Sequence, residues 1–362
     1  MNKCFVISAL SIIFCILALR VGAGAQTTTK NGGAKSSGKQ AVVEEAVKLE
    51  TPEGNLYGTL LLPKSKNKLP MVLIIAGSGP TDRDGNSPLL TGPNNSLKML
   101  AEGLAANGIA SLRYDKRGIG ESGKDMILAA KDTGKMPREE DLLFDAYIDD
   151  AALWGQKLRG DKRFSIVTIA GHSEGSLIGM AAAKKINADA FVSIAGAGRP
   201  AGQILLEQLK AQLPPDLVKS AEDILSQLIL GKTVESVPPA LDVVFRPSVQ
   251  PYMISWLRFD PAKEIAKLTV PVLITQGTTD IQATAQDFKL LADAKPSAKA
   301  SLIDGMNHVL KAVSTDLDKQ IASYSDPTLP VVPELINEIS SFVNNTKRLS
   351  SRHLKGRGRA RS

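Results

Sequence analysis

Apolar positions follow two rhythms between residues 42 and 345. Met71–Ala76, Ile109–Tyr114, Phe164–Ala170, Ala190–Ala195, Val270–Gln276 and Ala300–Ile303 are short runs rich in aliphatic residues. Such runs suit strands covered on both faces. Between them the spacing changes to that of helices. Ser96–Asn107 places Leu97, Leu100 and Leu104 on one face and stops at Gly108, and Asp141–Leu158, Ser176–Lys185, Ala283–Ala294 and Glu334–Asn344 read the same way. Val42–Leu49 and Leu56–Leu62 flank Pro52-Glu53-Gly54-Asn55, a turn signal, and predict an antiparallel hairpin ahead of the alternation. Strand–helix alternation of this kind predicts an α/β fold with a mostly parallel sheet and helices on both faces. The rhythm lapses over 199–262. There the amphipathic stretches Ile204–Leu213 and Leu217–Leu230 are broken by Pro214-Pro215, Pro238-Pro239, Pro247 and Pro251, the pattern of a mainly helical insertion.

The two ends differ from this body. Lys3, the apolar run Cys4–Leu19 and the small residues Ala23-Gly24-Ala25 form a secretory signal over 1–25, with the mature chain expected from about Gln26. The run is short for a membrane span, so no stable membrane insertion is expected once it is removed. Cys15 follows bulky Phe14, which argues against a lipidation site. Residues 26–40 are polar and rich in Gly and Ser, a linker. Residues 347–362 carry seven Lys/Arg and no acid, and read as a disordered basic tail. These divisions leave 41–346 as the folded domain, which acts in the periplasm or beyond the cell. Both cysteines lie in the signal, so the mature chain is expected to have neither a disulfide nor a thiol-bound metal. The net charge of +7 comes from the ends. Of the 44 Lys/Arg, nine lie in 1–25 and 347–362, leaving 35 against 37 acids, so the body has no basic bias that would indicate a nucleic-acid partner.

One motif orders the rest. Gly171-His172-Ser173-Glu174-Gly175 is a G-x-S-x-G set between an apolar strand and a small-residue helix. That context forms a sharp turn which lifts a serine clear of the sheet at a helix N-terminus, where it can act as a nucleophile. A serine needs a general base. Of the three histidines, His172 sits inside the turn and His353 in the tail, which leaves His308, just after the last predicted strand. An acid should orient that histidine. Asp280 follows an apolar strand and a glycine turn; Asp304 lies only four residues from His308, and Asp287 falls inside a helix. An anionic intermediate needs two backbone N–H donors. Glu174 supplies one, and the loop Ala76-Gly77-Ser78-Gly79-Pro80 the other, with Ser78 the candidate.

Two further patterns are decoys. Gly118-Ile-Gly-Glu-Ser-Gly123 has the form G-x-G-x-x-G, but it stands off the strand end by Asp115-Lys116-Arg117 and no clear helix opens at Gly123. Asp82-Arg-Asp84-Gly-Asn86 imitates a calcium loop with a misplaced glycine and no bidentate Glu, so it reads as loop-shaping. Without a dinucleotide fingerprint or an H-E-x-x-H motif, no cofactor and no metal are expected.

Four segments, 77–86, 115–122, 171–175 and 271–280, resemble the α/β-hydrolase superfamily. More narrowly, the chain is similar to secreted bacterial esterases related to the serine aminopeptidase-like hydrolases. The resemblance spans roughly 42–345. It implies an eight-stranded, mostly parallel sheet with 199–262 as a cap, and a catalytic set mapping to Ser173, Asp280 and His308. The expected activity is a carboxylesterase-like serine hydrolase working through an acyl-enzyme on a small-molecule ester. A peptidase with the same three residues and a non-catalytic binding protein on this fold are the alternatives. In the cap, Leu205, Leu209 and Trp256 are the apolar positions expected to tune chain-length preference.

Overall fold

The computed structural model describes residues 42–134, 136 and 138–359. The signal and linker lie outside the described residues. Eight strands make one sheet: β1 Val42–Thr51, β2 Gly54–Pro63, β3 Leu69–Ile75, β4 Ala110–Tyr114, β5 Phe164–His172, β6 Ala190–Ile194, β7 Val272–Gly277 and β8 Lys299–Ile303. Their spatial order is β1-β2-β4-β3-β5-β6-β7-β8. β1 pairs antiparallel with β2, and β2 with β4, while every later pairing is parallel. The sheet is therefore mostly parallel and open at both edges, as the alternation predicts.

The central strand β3 is apolar throughout because it contributes to two cores. Met71, Leu73 and Ile75 of β3 face one side, packed with Phe144, Tyr147 and Trp154 of the helix Phe144–Gly160 and with Leu177 and Ile178 of the helix Glu174–Ile186. Val72 and Ile74 face the other, beneath Leu97, Leu100 and Leu104 of the helix Ser96–Ala106 and Leu335, Ile339 and Val343 of the helix Pro333–Arg359. Successive side chains of a strand point to opposite faces, so a strand sandwiched by helices shows no polar alternation.

Outside the insertion, two helices were not legible in the sequence. Gly120–Thr133 follows β4, and Leu317–Ser323 follows β8. The first corrects the reading that no helix opens near the glycine-rich stretch. Its N-terminus is occupied from within: the Glu121 N–H donates to Asp115 Oδ2 at 2.9 Å, and a Cβ on Gly120 would come within 2.2 Å of that oxygen. The chain's own carboxylate thus fills the position a nucleotide phosphate would need. The Asp82–Asn86 loop is likewise tied to itself, with Asp82 Oδ1 accepting from the N–H groups of Asp84 and Asn86.

The basic end also departs from expectation. The closing helix extends to Arg359, so residues 347–359, expected to be disordered, are helical. Nothing after Pro333 breaks the pattern except Gly356 and Gly358, each costing only about 1 kcal/mol relative to alanine. Among the described residues no helix is long and apolar enough to cross a membrane.

The insertion joins β6 to β7 through the helices Ala201–Lys210, Pro215–Ile229, Asp242–Phe245, Gln250–Leu257 and Pro261–Ala266. It does not form a separate core. Leu205, Leu209, Leu225, Phe245 and Tyr252 join the cluster that covers the Phe144–Gly160 side of the sheet. Trp256 stacks on Phe144 with ring centroids 6.2 Å apart, and Tyr252 meets Phe144 and Tyr147 edge-on at 6.1 and 6.2 Å.

Candidate active site

The turn after β5 is built by exclusion. A Cβ on Gly171 would lie 2.0 Å from the Gly175 carbonyl oxygen, and one on Gly175 would lie 2.5 Å from that of Ile75. Neither separation is possible, so glycine is required on both sides of the serine. Ser173 itself takes φ 56° and ψ −124°, a conformation costly for a residue with a side chain. Its N–H donates to the Ile194 carbonyl at 2.9 Å, which ties the turn to β6. The serine is thereby presented at the start of the helix Glu174–Ile186, over the carboxyl ends of the central strands.

His308 reaches the serine from the loop after β8. Its Nε2 stands 3.0 Å from Ser173 Oγ, and its Nδ1 stands 2.9 Å from Asp280 Oδ2. Asp280 is fully engaged. Oδ1 accepts from the N–H groups of Gln282 and Ala283 at 2.8 and 3.0 Å, and Oδ2 also accepts from Gln276 Nε2 at 2.9 Å. The carboxylate is fixed on three sides and offers the fourth to the imidazole. The two other acids are occupied elsewhere. Asp304 is exposed and accepts from Thr278 Oγ1, while Asp287 is buried against Arg199 and closes a capping box with Thr284. Ser173, His308 and Asp280 are thus brought into one hydrogen-bonded chain, and the rival acids are not.

The histidine loop is braced by groups that sequence reasoning did not single out. Asn307 accepts from the Lys311 N–H and donates to Ser323 Oγ. His172 Nε2 lies 2.8 Å from the His308 carbonyl oxygen. Burial, with His308 adjacent, pushes the His172 imidazole down to about 4, so near neutrality it is uncharged and its Nε2–H donates to that carbonyl. The G-H-S-E-G motif was the available signal, but the partner lies 136 residues away.

The expected anion donors flank the serine. Gly77 packs so closely that a Cβ there would sit 3.1 Å from Ser173 Cβ, which sets the next peptide, that of Ser78, beside the hydroxyl. Among the described residues neither the Ser78 nor the Glu174 N–H has an assigned protein acceptor. The Glu174 side chain turns inward. Burial raises its carboxyl and lowers the Lys116 ammonium 3.8 Å away, and Tyr252 Oη donates to Glu174 Oε1 at 3.2 Å.

Beside Ser173 opens a small, mainly apolar cavity of about 60 Å³, with Leu177, Ile204, Trp256 and Pro261 in its wall. Of the three cap residues expected to tune selectivity, Trp256 belongs to that wall, whereas Leu205 and Leu209 point into the core. A helix turns successive residues by about 100°, so Ile204 and Gln208 meet the cavity while Leu205 and Leu209 do not.

Comparison with known proteins agrees with this architecture. Est1E from Butyrivibrio proteoclasticus with ferulic acid bound superposes with a TM-score of 0.52 at 19% identity, over 82% of this chain and all of that one. A proline iminopeptidase from Mycobacterium smegmatis superposes with a TM-score of 0.51 at 14% identity, over 84% of this chain and all of that one. Esterase EstD from Thermotoga maritima is 30% identical over 258 residues. The chain has the α/β-hydrolase fold. The EstD match takes in 70% of this chain but 58% of that esterase's length. Residues 94–255 match the family described as serine aminopeptidase, S33. That segment contains Ser173 and ends before Asp280 and His308.

Proposed function

We propose that this protein, built on the α/β-hydrolase fold, is a serine esterase acting on small carboxylic esters. The observation that carries the reading is the uninterrupted chain Ser173 Oγ, His308 Nε2, His308 Nδ1, Asp280 Oδ2, with both links at or below 3.0 Å. His308 takes the proton as Ser173 Oγ attacks the ester carbonyl, and Asp280 stabilises the imidazolium. The Ser78 and Glu174 amides receive the tetrahedral oxyanion. Collapse of this intermediate expels the alcohol, which takes the proton from His308. Water, deprotonated by His308, then attacks the acyl-enzyme and frees the acid and Ser173.

A peptide amine is a poorer fit to the same site. An aminopeptidase needs a carboxylate for the substrate's ammonium group, and the cavity wall holds one acid among the described residues, Glu174. Its oxygens face Tyr252 and Lys116. We further infer, from the N-terminal signal, that the enzyme works outside the cytoplasm; N-terminal sequencing of exported protein should start near Gln26, and a chain still beginning at Met1 refutes it.

The activity test is labelling with a fluorophosphonate followed by parallel panels of aryl esters and aminoacyl amides. The reading expects labelling of the parent but not of Ser173→Ala, and turnover of esters well above amides. Equal labelling of Ser173→Ala, or preferential turnover of aminoacyl amides, overturns it.

A further inference from the structure

The mechanism above makes no use of the buried charges beneath the nucleophile. Lys116 follows β4, and its side chain is 2% exposed; Glu174 follows Ser173, and its side chain is 4% exposed. They stand 3.8 Å apart, too far for a hydrogen bond, and Glu174 Oε2 has no hydrogen-bond partner among the described residues. A pair so deep and so loosely joined is a poor stabilising device, because desolvation of two ions offsets most of their attraction. The placement of the ammonium suggests another role. Lys116 Nζ lies 5.4 Å above the Tyr147 ring and donates to the Gly77 carbonyl oxygen.

That carbonyl belongs to the same peptide unit as the Ser78 N–H. A trans peptide is planar, and its C=O and N–H point in opposite directions. Anchoring the Gly77 oxygen to a buried ammonium therefore turns the Ser78 N–H the other way. Gly77 lies against Ser173 Cβ, and Ser78 borders the same cavity as Ser173. The residue before this peptide is Gly77, whose ψ has no Cβ to restrict it, so the peptide could otherwise rotate there. With the carbonyl turned inward, an oxygen would occupy the place of a donor and repel an oxyanion.

We infer that Lys116 is a positioning residue for the Ser78 N–H, with Glu174 as its buried counter-ion and Tyr252 as the link that ties this support to the insertion. The inference rests on the esterase reading of the site. Burial disfavours both charged forms, and each charge favours the other. Tyr252 closes the set from the helix Gln250–Leu257 by donating to Glu174 Oε1. Part of the support for one amide thus comes from the segment that also forms the cavity wall.

The test compares Lys116→Met with the double variant Lys116→Met/Glu174→Gln, which leaves no buried unpaired ion and keeps the volume nearly constant. Loss of one oxyanion donor costs about 10²- to 10³-fold in kcat, so both variants should fall by about 10²-fold with KM within about threefold of the parent. Affinity for a phenylboronic acid, which forms a tetrahedral adduct on the serine, should weaken in the same proportion. The double variant should melt within a few degrees of the parent, which separates positioning from folding. A double variant that folds yet keeps kcat and boronic acid affinity within about threefold of the parent overturns the role of Lys116. So does a loss confined to KM. Failure of the esterase reading shows differently: Ser173→Ala would then retain the parent's activity, whatever Lys116 does.

Discussion

Asp280 and Asp287 lie seven residues apart on either side of the start of one helix, and both are buried carboxylates held by backbone N–H groups. Asp280 accepts from Gln282, Ala283 and Gln276 and turns its remaining lone pair to His308. Asp287 accepts from the Gly198 and Thr284 N–H groups and is clasped by the Arg199 guanidinium through Nε and Nη2. The same chemical group is poised for work in one place and for structure in the other. A permanent cation against Asp287 neutralises it, since a guanidinium does not give up its proton. In the proposed esterase, His308 takes up a proton only during turnover, and the charge on Asp280 would stabilise the imidazolium so formed. The partner, not the burial, assigns the role.

The most severe way to break this comparison is Asp280→Asn. It keeps the shape but presents a donor to His308 Nδ1 and favours the wrong tautomer, so kcat on a chromogenic ester should fall about 10³- to 10⁴-fold with an unchanged circular dichroism spectrum. Asp304→Asn is the control and should stay within about tenfold, because its carboxylate is exposed and accepts a hydrogen bond from Thr278, away from His308. A parent-like Asp280→Asn beside an inactive Asp304→Asn would move the acid to Asp304.

Asp287→Asn should do the opposite, sparing kcat to within about tenfold while lowering stability by about 3 kcal/mol in urea titration, as removal of one member of a buried pair does. Among the described residues Arg199 then keeps one acidic partner, the half-exposed Glu207. The pH dependence sharpens the contrast. Burial alone would raise the Asp287 carboxyl, but its hydrogen bonds from Arg199 and the backbone prevail and hold it below the ordinary 3.8. A depressed carboxyl contributes stability above its unfolded value and loses it as pH falls through the folded one. The difference between the parent and Asp287→Asn should therefore be constant from pH 7 to about 5 and shrink below 3.8. A difference that grows on acidification would reverse the assignment.

The smallest expected effect comes from the cap helix that Asp287 and Arg199 anchor. Ile204→Ala opens the cavity wall and should shift preference toward longer acyl chains by about tenfold, at the lower end of the roughly 1 to 3 kcal/mol a methylene is worth in a pocket. Leu205→Ala, one position on, should leave that preference alone and cost about 2 to 5 kcal/mol of stability. Identical selectivity changes in the two would mean that the helix does not divide its faces between cavity and core.

How much was legible follows the range of the forces involved. The strands announced themselves because a strand covered on both faces is mainly apolar, as Met71–Ala76 is throughout and Phe164–Ala170 is except at Ser165 and Thr168. The helix Gly120–Thr133 did not, because its stability is borrowed. Asp115 caps it from the preceding loop, and Asp125 accepts from Asn55 and Tyr57, about 70 residues away in sequence. Leu205, Leu209 and Trp256 looked alike as apolar positions, and only the packing of the insertion set the first two in the core and the third on the cavity.

The sequence by itself determined the alternation that makes a parallel sheet and the glycines that force a strained serine at its carboxyl edge. It also contained a single histidine and a short choice of acids able to complete the set. These are local facts, written in spacing and in the volume a Cβ would need. Tertiary structure alone decided which acid meets His308, why His172 stays uncharged behind it, and which peptide oxygen Lys116 captures. Those outcomes depend on groups 28 to 136 residues apart coming within 3 Å, in a buried region where an unmatched charge or an unsatisfied hydrogen bond is costly. Pattern reports what each segment prefers, and only the packed sheet sets the distances on which charge and hydrogen bonding act.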